Sequence, residues 1–141
     1  MLKKSLKMFL LLIVFFMAIP VVNANTQIYD SFLEISSGSN VTGIARSYSF
    51  PNHMLEVRPR TLTFAANPNT VTLNVALQRR SMLFIWTTLR ETTMRFSNNN
   101  IRTQQMGSHP TGTFRYLYNT GNRTTQLGGI HANPVRMISF R

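Results

Sequence analysis

Between Thr70 and Phe96 the chain reads TVTLNVALQRRSMLFIWTTLRETTMRF, its densest run of strand-forming residues. Val71, Leu73, Val75 and Leu77 fall on one side of an extended chain, and Thr70, Thr72, Asn74 and Gln78 on the other. That period of two predicts a strand with one buried face. Every residue of 82–86 is apolar, which predicts a second strand covered on both faces, with Trp86 in the core of two packed layers. Gln78, Arg79, Arg80 and Ser81 would close a hairpin between them, although an Asn-Gly or Asp-Gly turn is missing. A helix competes here, because Met82, Ile85, Trp86 and Leu89 also share a helical stripe. Thr87, Thr88, Thr92 and Thr93 oppose it, being β-branched. Arg90-Glu91 would then be the tip of a further hairpin joining 83–89 to 92–96.

The flanking pattern is also strand-like. Residues 27–35 carry Ile28, Tyr29, Phe32, Leu33 and Ile35 ahead of a Ser-Ser-Gly-Ser-Asn break. Residues 41–50 alternate weakly. Within 54–64 the apolar phase slips, with Leu55 and Val57 on one parity and Leu62 and Phe64 on the other. Arg58-Pro59-Arg60 stands at the change, and proline donates nothing to a ladder, so this strand should be irregular or at an edge there. Ala66-Asn67-Pro68-Asn69 predicts a turn. The polar stretch 97–112 predicts a long loop, with a short strand around Ile101 as the alternative. Phe114, Tyr116 and Tyr118 share one strand face, 124–130 should return beside that strand, and His131-Ala132-Asn133-Pro134 should turn into a last strand over 135–140. About seven or eight short strands predict an all-β chain, an antiparallel β-sandwich of Greek-key or jelly-roll type, with a partly open barrel as the alternative.

The start of the chain changes this picture. Lys3, Lys4 and Lys7 precede an apolar run over 8–19, then Pro20 and the small residues Val22 and Ala24. This reads as a secretory signal peptide over 1–24, leaving a single β-sandwich domain over 25–141 and a secreted, extracellular address. The apolar run is shorter than the roughly 20 residues of a comfortable membrane span. With no cysteine anywhere, such a domain depends on its core and ladders, and the composition fits the outside of a bacterium with one membrane.

Charge narrows the function. All lysines lie in the leader, so residues 25–141 hold twelve arginines against Asp30, Glu34, Glu56 and Glu91, a balance of +8. A guanidinium grips phosphate or carboxylate with two parallel bonds and stacks on aromatic rings. The expected partner is therefore an anionic surface polymer, nucleic acid or lipid headgroups. Arg58 and Arg60, about 6.5–7 Å apart on one strand face, come close to the spacing of successive phosphates. Arg79 and Arg80 are adjacent in the predicted turn, and Arg115 lies between Phe114 and Tyr116. The alternatives are a secreted toxin or antimicrobial protein acting on membranes, and a surface protein that self-associates through an edge strand.

The remaining chemistry points away from catalysis. His53, His109 and His131 are scattered beside proline-bearing turns without metal-ligand spacing, and read as surface groups. No two of the four carboxylates are distinguished as an acid–base pair. There is no Gly-x-Ser-x-Gly elbow and no glycine-rich phosphate loop. No enzyme activity, cofactor or metal is expected.

Overall fold

The computed structural model describes residues 25–36, 38–64, 70–120 and 128–141. The leader, the turn at 66–69 and most of the turn after Asn119 lie outside them. The nine strands are β1 (Thr26–Ile35), β2 (Asn40–Thr42), β3 (Arg46–Tyr48), β4 (Asn52–Thr63), β5 (Val71–Arg80), β6 (Trp86–Phe96), β7 (Arg102–Ser108), β8 (Gly112–Asn119) and β9 (Gly129–Phe140). Two antiparallel sheets pack face to face as the expected sandwich, and neither closes into a barrel. One runs β1-β9-β4-β7; the other runs β2-β8-β5-β6, with β3 also paired to β8.

Alternation builds the core. Val71, Leu73, Val75 and Leu77 of β5 are buried, as their period of two requires, and so are Phe114, Tyr116 and Tyr118 of β8 beside them. Leu55 and Val57 of β4, Met106 of β7 and Val135 and Met137 of β9 close on them from the other sheet. The phase slip in β4 is real: the register shifts on both sides of Pro59. β4 lies between β9 and β7, but the β7 ladder stops at Val57 opposite Arg102. From Arg58 onward β4 is an edge, which is how a proline is accommodated.

Several expectations give way. Residues 82–86 do not form a covered strand: 81–85 are the turn of the β5–β6 hairpin, and β5 continues through Arg80. Ser81 N–H donates to Ile85 O at 2.9 Å and Ile85 N–H to Met82 O at 3.3 Å. Arg90-Glu91 is no hairpin tip but mid-strand in β6, opposite Leu77 and Ala76. The polar stretch 97–112 contains β7, whose Met106 supplies the buried apolar group. His131-Ala132-Asn133-Pro134 does not turn the chain but runs inside β9. Instead of returning beside β8, Gly129 and Ile130 pair with Thr63 and Leu62 of β4 in the other sheet. Residues 41–50 form two short strands, at opposite ends of β8.

Candidate anion-binding surface

Strand alternation decides which arginines reach outward. On β5, Gln78 and Arg80 follow Asn74 and Ala76 on the outer face, and Arg79 points inward with Leu77. Gln78 stands opposite Arg115 on β8 and Thr88 on β6, and Arg80 stands opposite Trp86. Arg115 Nε donates to Gln78 Oε1 at 2.9 Å, and Gln78 Nε2 donates to Thr88 Oγ1 at 3.1 Å. So held, the guanidinium carbon of Arg115 lies 4.2 Å from the centroid of the Trp86 ring. Arg115 thus uses an aromatic partner, as its neighbours suggested, but the ring is that of Trp86 across the sheet. Phe114 and Tyr116 point the other way, into the core.

Trp86 is accordingly half-buried on the outer face and not in the core. Its contact with Arg115 is a partly solvated cation–π pair, worth about 0.5–1 kcal/mol. Trp86→Ala is expected to lower the unfolding free energy by about 1 kcal/mol, against roughly 3–5 kcal/mol for a core tryptophan. Urea denaturation measures the difference, and a loss on the core scale would place the ring inside.

Arg79 and Arg80 play different parts. Arg79 Nη2 donates to Thr111 O at 3.0 Å, folding this side chain over the open end of the core. A β-carbon on Gly112 would lie 2.9 Å from Arg79 Nε, so a residue without one lets the guanidinium pass. Arg80 is exposed, and its side chain bonds to nothing among the described residues. Arg141 joins them at this end, where β9 finishes, with its guanidinium carbon 5.9 Å from the centroid of Phe50.

Arg58 and Arg60 do not join this group. They belong to the other sheet, and the two register shifts around Pro59 break the regular two-residue spacing. The start of β4 is level with Arg79, since His53 packs 4.5 Å from Phe114, the partner of Arg79. Arg58 and Arg60 lie five and seven residues further along, about 16 and 23 Å at the rise of a strand. Arg60 Nε donates to Asn133 O at 2.7 Å, whereas Arg58 Nε is buried without a partner. The two line a shallow depression of about 550 Å³ with Asn99, Asn100 and Ile101. Arg95 and Arg102, which the strand pattern did not single out, line another of about 570 Å³ between β6 and β7.

Acids offset little of this charge. Of the eleven arginines among the described residues, Arg136 alone forms ion pairs, at 3.0 Å with Asp30 and 3.5 Å with Glu56. Burial holds the phenols of Tyr48, Tyr116 and Tyr118 well above their ordinary range, so they add no negative charge. His53 is not the surface group expected of it. It is fully buried in β4 with neither ring nitrogen bonded, 5.8 Å from the ring of His109. His131 is exposed on β9, and no three histidine or carboxylate groups converge among the described residues.

No family model matches the chain, and neither does any curated protein. Among solved structures it is similar to the crystal structure of FLHE, with 11% identity, 84% of this chain and 99% of that chain covered, and a TM-score of 0.41. It is also similar to a chain in the structure of infectious bursal disease virus Gt strain, with 11% identity, 83% and 32% covered, and a TM-score of 0.34. Likenesses at that level say nothing of function.

Proposed function

We propose that the protein is a secreted, non-enzymatic binding protein that attaches through arginine to an anionic partner: a surface polymer, nucleic acid or lipid headgroups. The observation that carries this reading is the set of uncompensated guanidiniums, with Arg136 alone in an ion pair among the described residues. Solubility does not require the hold on Arg115 between Gln78 and Trp86, which adds only the small stability of a cation–π pair. Fixing a guanidinium in advance lowers the ordering cost of an anion's approach.

Retention on an anionic polymer tests the proposal. Binding should weaken linearly in log salt, with a slope set by the number of phosphates or sulfates neutralised. Arg80→Ala and Arg115→Ala should each reduce the magnitude of that slope by about 1, while Arg60→Ala, already tied to Asn133, should leave it unchanged. Arg80→Lys separates point charge from the bidentate grip. Absence of retention by the wild-type protein at low salt would sink the proposal.

The membrane-damaging alternative is distinguished by dye release from anionic vesicles, since a binder leaves their contents in place. Self-association through an edge strand is disfavoured at β6, one of the two edges of its sheet. That edge carries Arg90, Glu91 and Arg95 and a register shift beside Leu77, devices that blunt strand addition.

A further inference from the structure

The turn of the β5–β6 hairpin exposes the chain's most apolar segment outside the leader. Met82 is 68% exposed, Leu83 75%, Phe84 85% and Ile85 54%. Scattered apolar groups on a surface need no explanation, but four consecutive ones on a single tip do. The tip is held in shape by the two backbone hydrogen bonds between Ser81, Met82 and Ile85, and Ser81 Oγ adds a bond to Ile85 O at 3.3 Å. Among the ladders of the two sheets, β5–β6 is the one formed by strands consecutive in the chain, and β8 backs its β5 strand as far as Arg79, one residue before the base of the tip.

The charges behind the tip are ordered by depth. Arg80 and Trp86 form the rung at its base; Arg115 belongs to the rung of Gln78, two residues back and about 7 Å along the strand. Arg79 and Arg141 lie at the same end. The side-chain carboxylates stand away from it. Asp30 and Glu56 are bound to Arg136 in the other sheet, and Glu34 pairs with His131 near the far end of β1. Glu91 sits opposite Ala76, four residues back from Arg80, or about 13 Å.

Apolar side chains at the tip, a tryptophan at its base and guanidiniums at that level and behind form the sequence of layers met on entering a lipid leaflet from its acyl boundary outward. Tryptophan favours the headgroup level, arginine reaches phosphate, and apolar side chains are at home about 5–10 Å deep. The positive charge selects anionic headgroups over neutral ones. Resting on the proposed attachment through arginine, we infer that the partner is an anionic lipid bilayer, into whose interface Met82, Leu83, Phe84 and Ile85 insert while Arg80 and Arg115 contact the headgroups. A nucleic acid or a polysaccharide would use the arginines and leave the tip idle.

The test uses the protein purified as its producer processes it, with phosphatidylglycerol–phosphatidylcholine vesicles, pure phosphatidylcholine vesicles and immobilised heparin. Trp86 is the chain's single tryptophan and therefore a clean reporter. On anionic vesicles its emission should shift to the blue and be quenched by lipids brominated on the acyl chains, with no change on neutral vesicles. Leu83→Ser/Phe84→Ser alters only exposed side chains, and an unchanged melting curve verifies its fold. This variant should lose vesicle affinity by at least about tenfold and keep its retention on heparin. Equal vesicle binding by variant and parent overturns insertion. Retention on heparin without binding to anionic vesicles overturns the lipid partner alone, and failure of both overturns the arginine attachment as well. A parent that self-associates, with a monomeric double variant and no response to lipid, would make a second copy the occupant of the tip and overturn the inference.

Discussion

Replacing Phe114 by alanine is expected to destabilise the sandwich by about 3–5 kcal/mol, a large share of the 5–15 kcal/mol that holds an ordinary domain together. Phe114 is fully buried, on the strand between β3 and β5, with Arg46 and Arg79 as its backbone neighbours. Its ring lies 4.5 Å from that of His53 on β4 and 5.8 Å from that of Tyr48. It therefore joins the two sheets at the end of the core that lies behind the hairpin tip. Arg79, bonded to Thr111, restricts how far the neighbours can collapse into the gap. Cost rises with the cavity that remains, so Phe114→Leu should lose clearly less than Phe114→Ala. Equilibrium urea unfolding measures both. A loss below about 1 kcal/mol for the alanine variant would mean that this ring does not bind the sheets together.

Much of this fold was legible because alternation is a backbone property. Val71, Leu73, Val75 and Leu77 had to share a face once the segment was extended, and the same holds for Phe114, Tyr116 and Tyr118. The slip around Pro59 was legible for a related reason, since proline removes a donor and changes the phase. Residues 82–86 misled because an apolar run has no phase: burial on both faces and exposure on a tip give the same composition. Arg79-Arg80-Ser81 ahead of the run was the available signal, being poor material for the middle of a covered strand.

The candidate site was legible only in part. Charge singled out arginine as a type, and adjacency singled out Arg79 and Arg80. Only the register of β5 against β6 and β8 tells that Arg115 meets Trp86, and only the end of β9 brings Arg141 near. Arg58 and Arg60 share a parity in the sequence, but the ladder of β9 shifts on both sides of Pro59 and draws Arg60 to Asn133. Such long-range pairings have no local signature. The same reason hid His53, whose position beside Pro51 suggested a loop, while the ladders of β7 and β9 cover it on both sides.

Stability is expected to fall by about 2 kcal/mol between pH 7.5 and pH 5, and His53 is the source. Its ring lies among Tyr48, Phe114 and His109, with neither nitrogen hydrogen-bonded. Burial, with electrostatic repulsion from His109 as a smaller contribution, lowers its pKa to about 4. His109 is anchored, its Nε2 being 2.8 Å from Met106 O, a contact in which the nitrogen donates. An unfolded histidine titrates near 6.5. Above that value both states hold a neutral ring, and protonation does not distinguish them. As the pH drops below it, the unfolded chain takes up a proton that the folded protein refuses until about pH 4, so stability is lost across this window. The slope approaches 1.4 kcal/mol per pH unit, with a limit of about 3 kcal/mol at the acid end. Carboxylates take up most of their protons lower down, which leaves the upper part of the window to histidine. His53→Phe keeps a flat ring in an aromatic setting and removes two unsatisfied nitrogens, so it should be tolerated at pH 7.5 and should flatten the slope. Urea unfolding of both proteins at the two pH values decides it. A wild-type stability that does not change with pH, or a slope that survives in His53→Phe, would show that His53 is not the titrating group.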